Sequence, residues 1–279
     1  MNIKICLFVL FSFLFINKIS ANENLSLLTF NDDKKIEAVF KKENITGTIV
    51  IYNSQKNYLT GYNHKRANTQ YSPASTFKIA NSLIGLSTGV VKNTDEVFFK
   101  YQGQDVFSES WKHDSSLKDA IKVSNVLAYQ ELARKVGKEK MLINLKKINY
   151  GNETIGSHID TFWLDNSLKI SAMQQVEFLY QLANKQLQYP QKIQQDVSEM
   201  ILLDRSETWK LYGKTGWFSA ENNLNTIGWF VGWVEKDKEI YAFAMNMDIK
   251  KTNKKDLEKE LLKRQKISIE SLKVLGIIE

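Results

Sequence analysis

Strand-like segments lie at both ends of this chain and helical periodicity fills its middle, and that order constrains the fold more than any single motif. Near the front, Thr46 to Tyr52 and Asn57 to Tyr62 are rich in β-branched and aromatic residues. The polar Asn53-Ser54-Gln55-Lys56 between them completes the pattern of a hairpin. Near the back, Lys210 to Phe218, Thr226 to Val234 and Ile240 to Ile249 read as three more strands, the last two joined by the polar turn Glu235 to Glu239. Between the two groups, residues 126–136 and 139–148 carry apolar side chains at three- and four-residue steps: Val126, Leu132 and Val136, then Leu142, Leu145 and Ile148. Gly137 is the expected cap between those helices. Ser171 and Gln174 have the spacing of a capping box that opens a helix with Val176, Leu179, Leu182 and Ala183 on one face. A last helix, with Leu257, Leu261, Leu262, Ile269 and Leu272, is expected to pack on the strands. The reading is an α/β (α+β) fold: a central antiparallel sheet flanked by helices, with a helical subregion inserted at about 90–205.

Residues 1–21 stand apart from that fold. Lys4 supplies a positive start, Ile5 to Ile16 form an apolar run too short to span a bilayer, and a short polar stretch ends at Ala21. This reads as a secretory leader directing the chain to the periplasm, leaving one domain over residues 22–279. The only cysteine, Cys6, lies inside the leader, so the mature chain has no disulfide, no thiolate metal site and no cysteine nucleophile. His64, His113 and His158 show no ligand spacing, which argues against a zinc hydrolase. Loss of Lys4 and Lys18 takes the formal charge of +7 to +5. That excess, concentrated near the C-terminus, reads as solvated surface. Neither a nucleic-acid partner nor a membrane partner after leader removal is expected.

Ser75-Thr76-Phe77-Lys78 opens an apolar helical run, Ile79 to Leu86. Ser72 as N-cap and Pro73 at the first helical position would start the helix there, placing Ser75 and Lys78 one turn apart on one face. Ser75 would then sit in the first turn, where free backbone amides favour an oxyanion. Ser-x-x-Lys alone proves nothing. With 21 Ser and 34 Lys, chance gives about 2.6 copies, and a second copy, Ser115 to Lys118, reads as a helix cap. Lys214-Thr215-Gly216 is rarer, at about 0.08 copies expected, and it falls on a late strand. Ser124-Asn125-Val126 stands between the two motifs at the mouth of a helix, where a hydroxyl can relay a proton. The ordered set is specific in a way that no member is alone.

With these motifs the chain resembles the penicillin-recognising serine enzymes, and most closely the class D, oxacillinase-type β-lactamases. Tyr150-Gly151-Asn152, Asp160 to Asp165 and Ala244 to Asp248 extend the resemblance over almost the whole mature chain. Val126 replaces the asparagine of the class A Ser-Asp-Asn motif, and no Glu-x-x-Leu-Asn follows. The resemblance implies a β-lactamase/transpeptidase-like fold and hydrolysis of penicillin-type antibiotics through an acyl-enzyme on Ser75, giving resistance. It implies that Lys78, kept neutral by burial, carries carbon dioxide as a carbamate and serves as general base, with Val126 and Trp163 supporting it. No other cofactor and no metal are implied. Ser124 would pass a proton to the departing nitrogen. Lys214, Thr215, Gly216 and the Trp217 backbone would bind substrate, and Arg264 would anchor its carboxylate. A core role for Trp163 and a solvent-facing Arg264 are the alternative readings. A D,D-peptidase, which acylates without efficient hydrolysis, and a β-lactam sensor remain rivals. A monomer and a homodimer are both open.

Overall fold

The computed structural model describes residues 25, 28–53, 55–219, 226–250 and 253–279, without the side chains of 254 and 255. The leader expected at 1–21 lies outside the described residues. Seven strands form one sheet: Asn31–Asp32 (β1), Gly47–Asn53 (β2), Tyr58–Tyr62 (β3), Leu202–Arg205 (β4), Trp209–Ser219 (β5), Thr226–Lys236 (β6) and Glu239–Asp248 (β7). Their spatial order is β1-β3-β2-β7-β6-β5-β4. The sheet is mixed, because the short β1 runs parallel to β3, and its centre is antiparallel. β2 from the front of the chain pairs with β7 from the back, from Gly47 opposite Met247 to Tyr52 opposite Ala242. That pairing forces everything between them out to the sides.

The described helices are Lys34–Lys42 (α1), His64–Ala67 (α2), Lys78–Ser87 (α3), Leu117–Lys122 (α4), Val126–Val136 (α5), Lys138–Lys147 (α6), Ala172–Ala183 (α7), Gln191–Met200 (α8) and Lys254–Val274 (α9). Strand alternation divides the core in two. Val50 and Tyr52, Trp229, Val231 and Trp233, and Ala242 and Ala244 face a core shared with α3, α5 and α7. Their neighbours Ile49, Ile51, Phe230, Val234, Phe243, Met245 and Met247 face a second core closed by α1 and α9. The Ser171–Gln174 capping box is present, and Gly137, at φ +81°, separates α5 from α6.

Three local expectations need correction. β4 lies within the segment read as helical, held by its pairing with β5. Leu262 points outward from α9 at 63% exposure, and Ile267 takes a core position instead. The cap on α4 is Ser116, which accepts from the Asp119 amide, while the Ser115 hydroxyl donates to the His113 carbonyl.

Candidate active site

Two non-glycine residues with left-handed backbone flank the site, Ala74 at φ +48° and Ser124 at φ +56°. Surrounding contacts must hold both conformations. Ser72 does not cap the helix. Pro73 occupies the capping position, Ala74–Phe77 form a tighter 3-10 turn, and α3 begins only at Lys78. The Ser72 hydroxyl instead donates to the Trp163 carbonyl at 2.8 Å, which also accepts from the Ala74 amide at 3.1 Å. The Trp229 indole donates to the Ser72 carbonyl at 2.9 Å. Gln175 Nε2 donates to Thr76 Oγ1, which donates to the Pro73 carbonyl. The turn carrying Ser75 is therefore pinned from the 163 loop, from β6 and from α7.

Lys78 Nζ lies 2.7 Å from Ser75 Oγ, in hydrogen-bond contact, and the lysine is wholly buried. Burial, and secondarily the Lys214 charge, hold its pKa well below the ordinary lysine value. The face of Tyr129, 5.4 Å from Nζ, favours the ammonium only weakly. Among the described residues no carboxylate pairs with this amine. Phe77, next to it in the chain, forms an aromatic nest with Tyr150, Phe162 and Trp163, neighbouring ring centroids lying 5.0–5.5 Å apart. Trp163 Nε1 is buried there without an acceptor. Gly151, at φ +61°, lets the chain after Tyr150 turn, and a Cβ there would lie 2.0 Å from the Lys169 carbonyl oxygen.

Lys214 reaches across from β5 and donates to Ser124 Oγ and to the Thr215 carbonyl, both at 3.1 Å. Burial first and the Arg264 charge second bring its pKa down to about 7. Arg264, on α9, donates from Nη1 to the Gly216 carbonyl and from Nε to the Leu261 carbonyl, both at 2.6 Å. Burial lowers its pKa to about 10, so it stays cationic at neutral pH. It is half-buried, and three of its five donors are left beyond those two bonds.

β4 pairs with β5 only as far as Tyr212, so from Lys214 onward β5 presents its outer edge to the Ser75 turn. A Cβ added at Gly216 would lie 2.9 Å from the Pro73 carbonyl oxygen and 3.0 Å from Thr76 Cγ2. Gly216→Ala is therefore expected to push the strand off the turn. Loss of about 1–3 kcal/mol in a thermal melt should follow. An unchanged melt would show that the close approach does not matter.

The family model for the penicillin-binding protein transpeptidase domain matches residues 40–265. The β-lactamase OXA-19 of Pseudomonas aeruginosa is 42% identical over 223 residues, which cover 80% of this chain and 84% of that protein. OXA-48 of Klebsiella pneumoniae is 38% identical over 242 residues, 85% and 90% of the two chains. The crystal structure of FUS-1 (OXA-85), a class D β-lactamase from Fusobacterium nucleatum subsp. polymorphum, superimposes with a TM-score of 0.85 at 44% identity. It covers 89% of this chain and 100% of its own. This chain belongs to the class D β-lactamases.

In this class D enzyme Ser75, Ser124, Val126, Thr215, Gly216, Trp217 and Arg264 line one cavity of about 360 Å³. Lys78 lies beneath it against Ser75, Lys214 beside it against Ser124, and Trp163 behind it in the nest. The cavity also takes in Phe107, Ser108 and Val123, which sequence reasoning did not single out, and Leu261, which it read only as a packing position of the last helix. Phe107 is 77% exposed, and its ring centroid lies 6.0 Å from that of Trp111 and 6.3 Å from that of Trp217. The Trp111 indole donates to the Val123 carbonyl at 3.1 Å and so ties this rim to the Ser124 turn. Nothing in the local pattern around Phe107 marks it, because it belongs to no regular element.

Proposed function

We propose that this enzyme hydrolyses penicillin-type β-lactams, and so confers resistance, through an acyl-enzyme on Ser75 with Lys78 as the basic group. The observation that carries the reading is the 2.7 Å contact between Ser75 Oγ and a wholly buried lysine amine that has no acidic partner among the described residues. A charged ammonium cannot accept a proton, and this environment disfavours the charge. Ser75 gives its proton to the Lys78 side as Oγ bonds to the lactam carbonyl carbon. The ring C–N bond then breaks as Ser124 protonates the departing nitrogen, and the proton taken up on the Lys78 side restores Ser124 through Lys214, leaving Lys78 free to act again. A water then gives a proton to the Lys78 side as its oxygen bonds to the acyl carbon, and that proton returns to Ser75 Oγ as the ester C–O bond breaks. The first-turn amide of Ser75 and the edge amide of Trp217 are assigned to the oxyanion, and Arg264 and Lys214 to the substrate carboxylate.

A neutral buried amine is also the form that adds carbon dioxide, and the residues here fit a carbamate on Lys78. The orphaned Trp163 indole supplies a donor in the nest beside it, and Val126 offers no competing polar group. When bound, that group supplies a carboxylate-like base for both half-reactions. Residues 1–21 are assigned as the leader that carries the enzyme to the periplasm.

Lys214 gives this reading a pH signature. With its pKa near 7, it is charged below neutrality and neutral above, so its grip on a carboxylate weakens as pH rises through 7. A bound carboxylate favours the ammonium and moves that pKa up. The fall in kcat/KM is therefore expected about one pH unit below any corresponding fall in kcat. Coincident profiles, or a kcat/KM flat from pH 6 to 8, would contradict the role of Lys214.

Mass spectrometry after brief exposure to penicillin tests the whole reading. A one-to-one adduct on Ser75, with chromogenic turnover that rises on adding bicarbonate to degassed, mildly acidic buffer, is expected. A label on another residue, or a stable adduct without turnover, would reject hydrolysis by this route.

A further inference from the structure

The formal charge of this chain is carried almost entirely by two helices. α1 and α9 together hold eleven cations and five anions, a net +6 of the chain's +7. They also share one side of the molecule. Both bury their apolar faces in the same core on the same face of the sheet, and they pack against each other with Lys266 paired to Glu43 at 2.8 Å. Arg264 turns toward the cavity, and the exposed lysines of these helices whose side chains are described make up the basic face, some of them, such as Lys34 and Lys41 with Glu37, in ion pairs within it.

We propose that this face docks reversibly on an anionic phospholipid surface. Lys35, Lys42 and Lys273 are exposed and, among the described residues, pair with no carboxylate. Leu262 is 63% exposed between Lys259, three residues before it, and Lys266, four residues after it. An exposed apolar side chain flanked by Lys259 and Lys266 suits a headgroup boundary, where the ammonium groups meet phosphates and the leucine meets acyl chain. A nucleic-acid backbone would use the same charges but has no place for the leucine. α9 is not apolar enough to cross a bilayer, so the contact is at the surface. The charge of the chain is then a localising device, where the sequence alone suggested only solvated surface.

Co-sedimentation of the leader-free protein with vesicles tests this, using equal phosphatidylglycerol and phosphatidylcholine against phosphatidylcholine alone. Binding is expected only to the anionic vesicles and is expected to vanish in high salt. The triple variant Lys35→Gln, Lys42→Gln, Lys273→Gln should lose about a hundredfold in partitioning. The triple Lys92→Gln, Lys140→Gln, Lys146→Gln makes the same charge change on the helical subregion and should change partitioning less than twofold. Leu262→Gln, which alters no charge, should weaken partitioning several-fold, with β-lactam turnover in solution unchanged for every variant. Equal losses from the two triples would reduce the effect to net charge and overturn the proposal. Indifference to Leu262→Gln together with equal binding to duplex DNA would overturn it in favour of a general polyanion surface.

Discussion

Lys78→Met is expected to cut turnover by a factor of about a thousand or more while leaving the fold intact and more stable. The side chains are similar in volume, so the space stays filled, but the group proposed to take the Ser75 proton is gone. Acylation of a strained lactam is the easier half of the reaction, so the variant should still label slowly. The Ser75 adduct should then persist for hours, because no base remains to activate water. The stability gain follows from the depressed pKa. Burial penalises the ammonium in the folded protein but not in the unfolded chain, so below the ordinary lysine value the lysine carries a folding cost that Met does not. That cost grows as pH falls below the ordinary lysine value and levels off only below the folded-state pKa. The melting temperature of Lys78→Met should exceed that of the wild type in carbon dioxide-free buffer, by more at pH 7 than at pH 9. A variant that hydrolyses penicillin within tenfold of wild type would remove Lys78 from the chemistry.

Ser75→Ala carries the second large expected loss. Removing the proposed nucleophile should abolish the adduct altogether and lower kcat/KM by roughly four orders of magnitude or more. Substrate affinity should survive, because Lys214, Arg264 and the β5 edge remain in place. The difference from Lys78→Met is qualitative, since one variant forms no adduct and the other cannot release it. An adduct in Ser75→Ala, on Ser124 for example, would move the nucleophile elsewhere.

Much of this site was legible because its chemistry is local in sequence. Ser75 and Lys78 are one helical turn apart wherever that segment is helical, and Lys214-Thr215-Gly216 is too rare to arise often by chance. The strands of the sheet centre were legible for the same reason, as runs with their own turns. What escaped was decided by distant partners. Ser72 has the composition of a cap, but the Trp163 carbonyl, 91 residues away, takes its hydroxyl. Trp163 reads by itself as a core aromatic, and that its buried indole has no acceptor among the described residues is set by partners distant in sequence. Arg264 sits in a lysine-rich helix where every cation looks solvated, and only its bond to Gly216 turns it toward the cavity. β4 has four exposed residues and no periodicity of its own, so only the edge of β5 makes it a strand.

The carbamate proposed on Lys78 can be tested directly by carbon-13 NMR of the enzyme equilibrated with labelled bicarbonate. A single protected carbamate resonance is expected. It should be absent in Lys78→Met, weakened when Trp163→Phe removes the indole donor, and lost reversibly on acidification. A wild-type spectrum with no such resonance under conditions of full penicillin turnover would contradict the assignment of Lys78 as the carbamylated base.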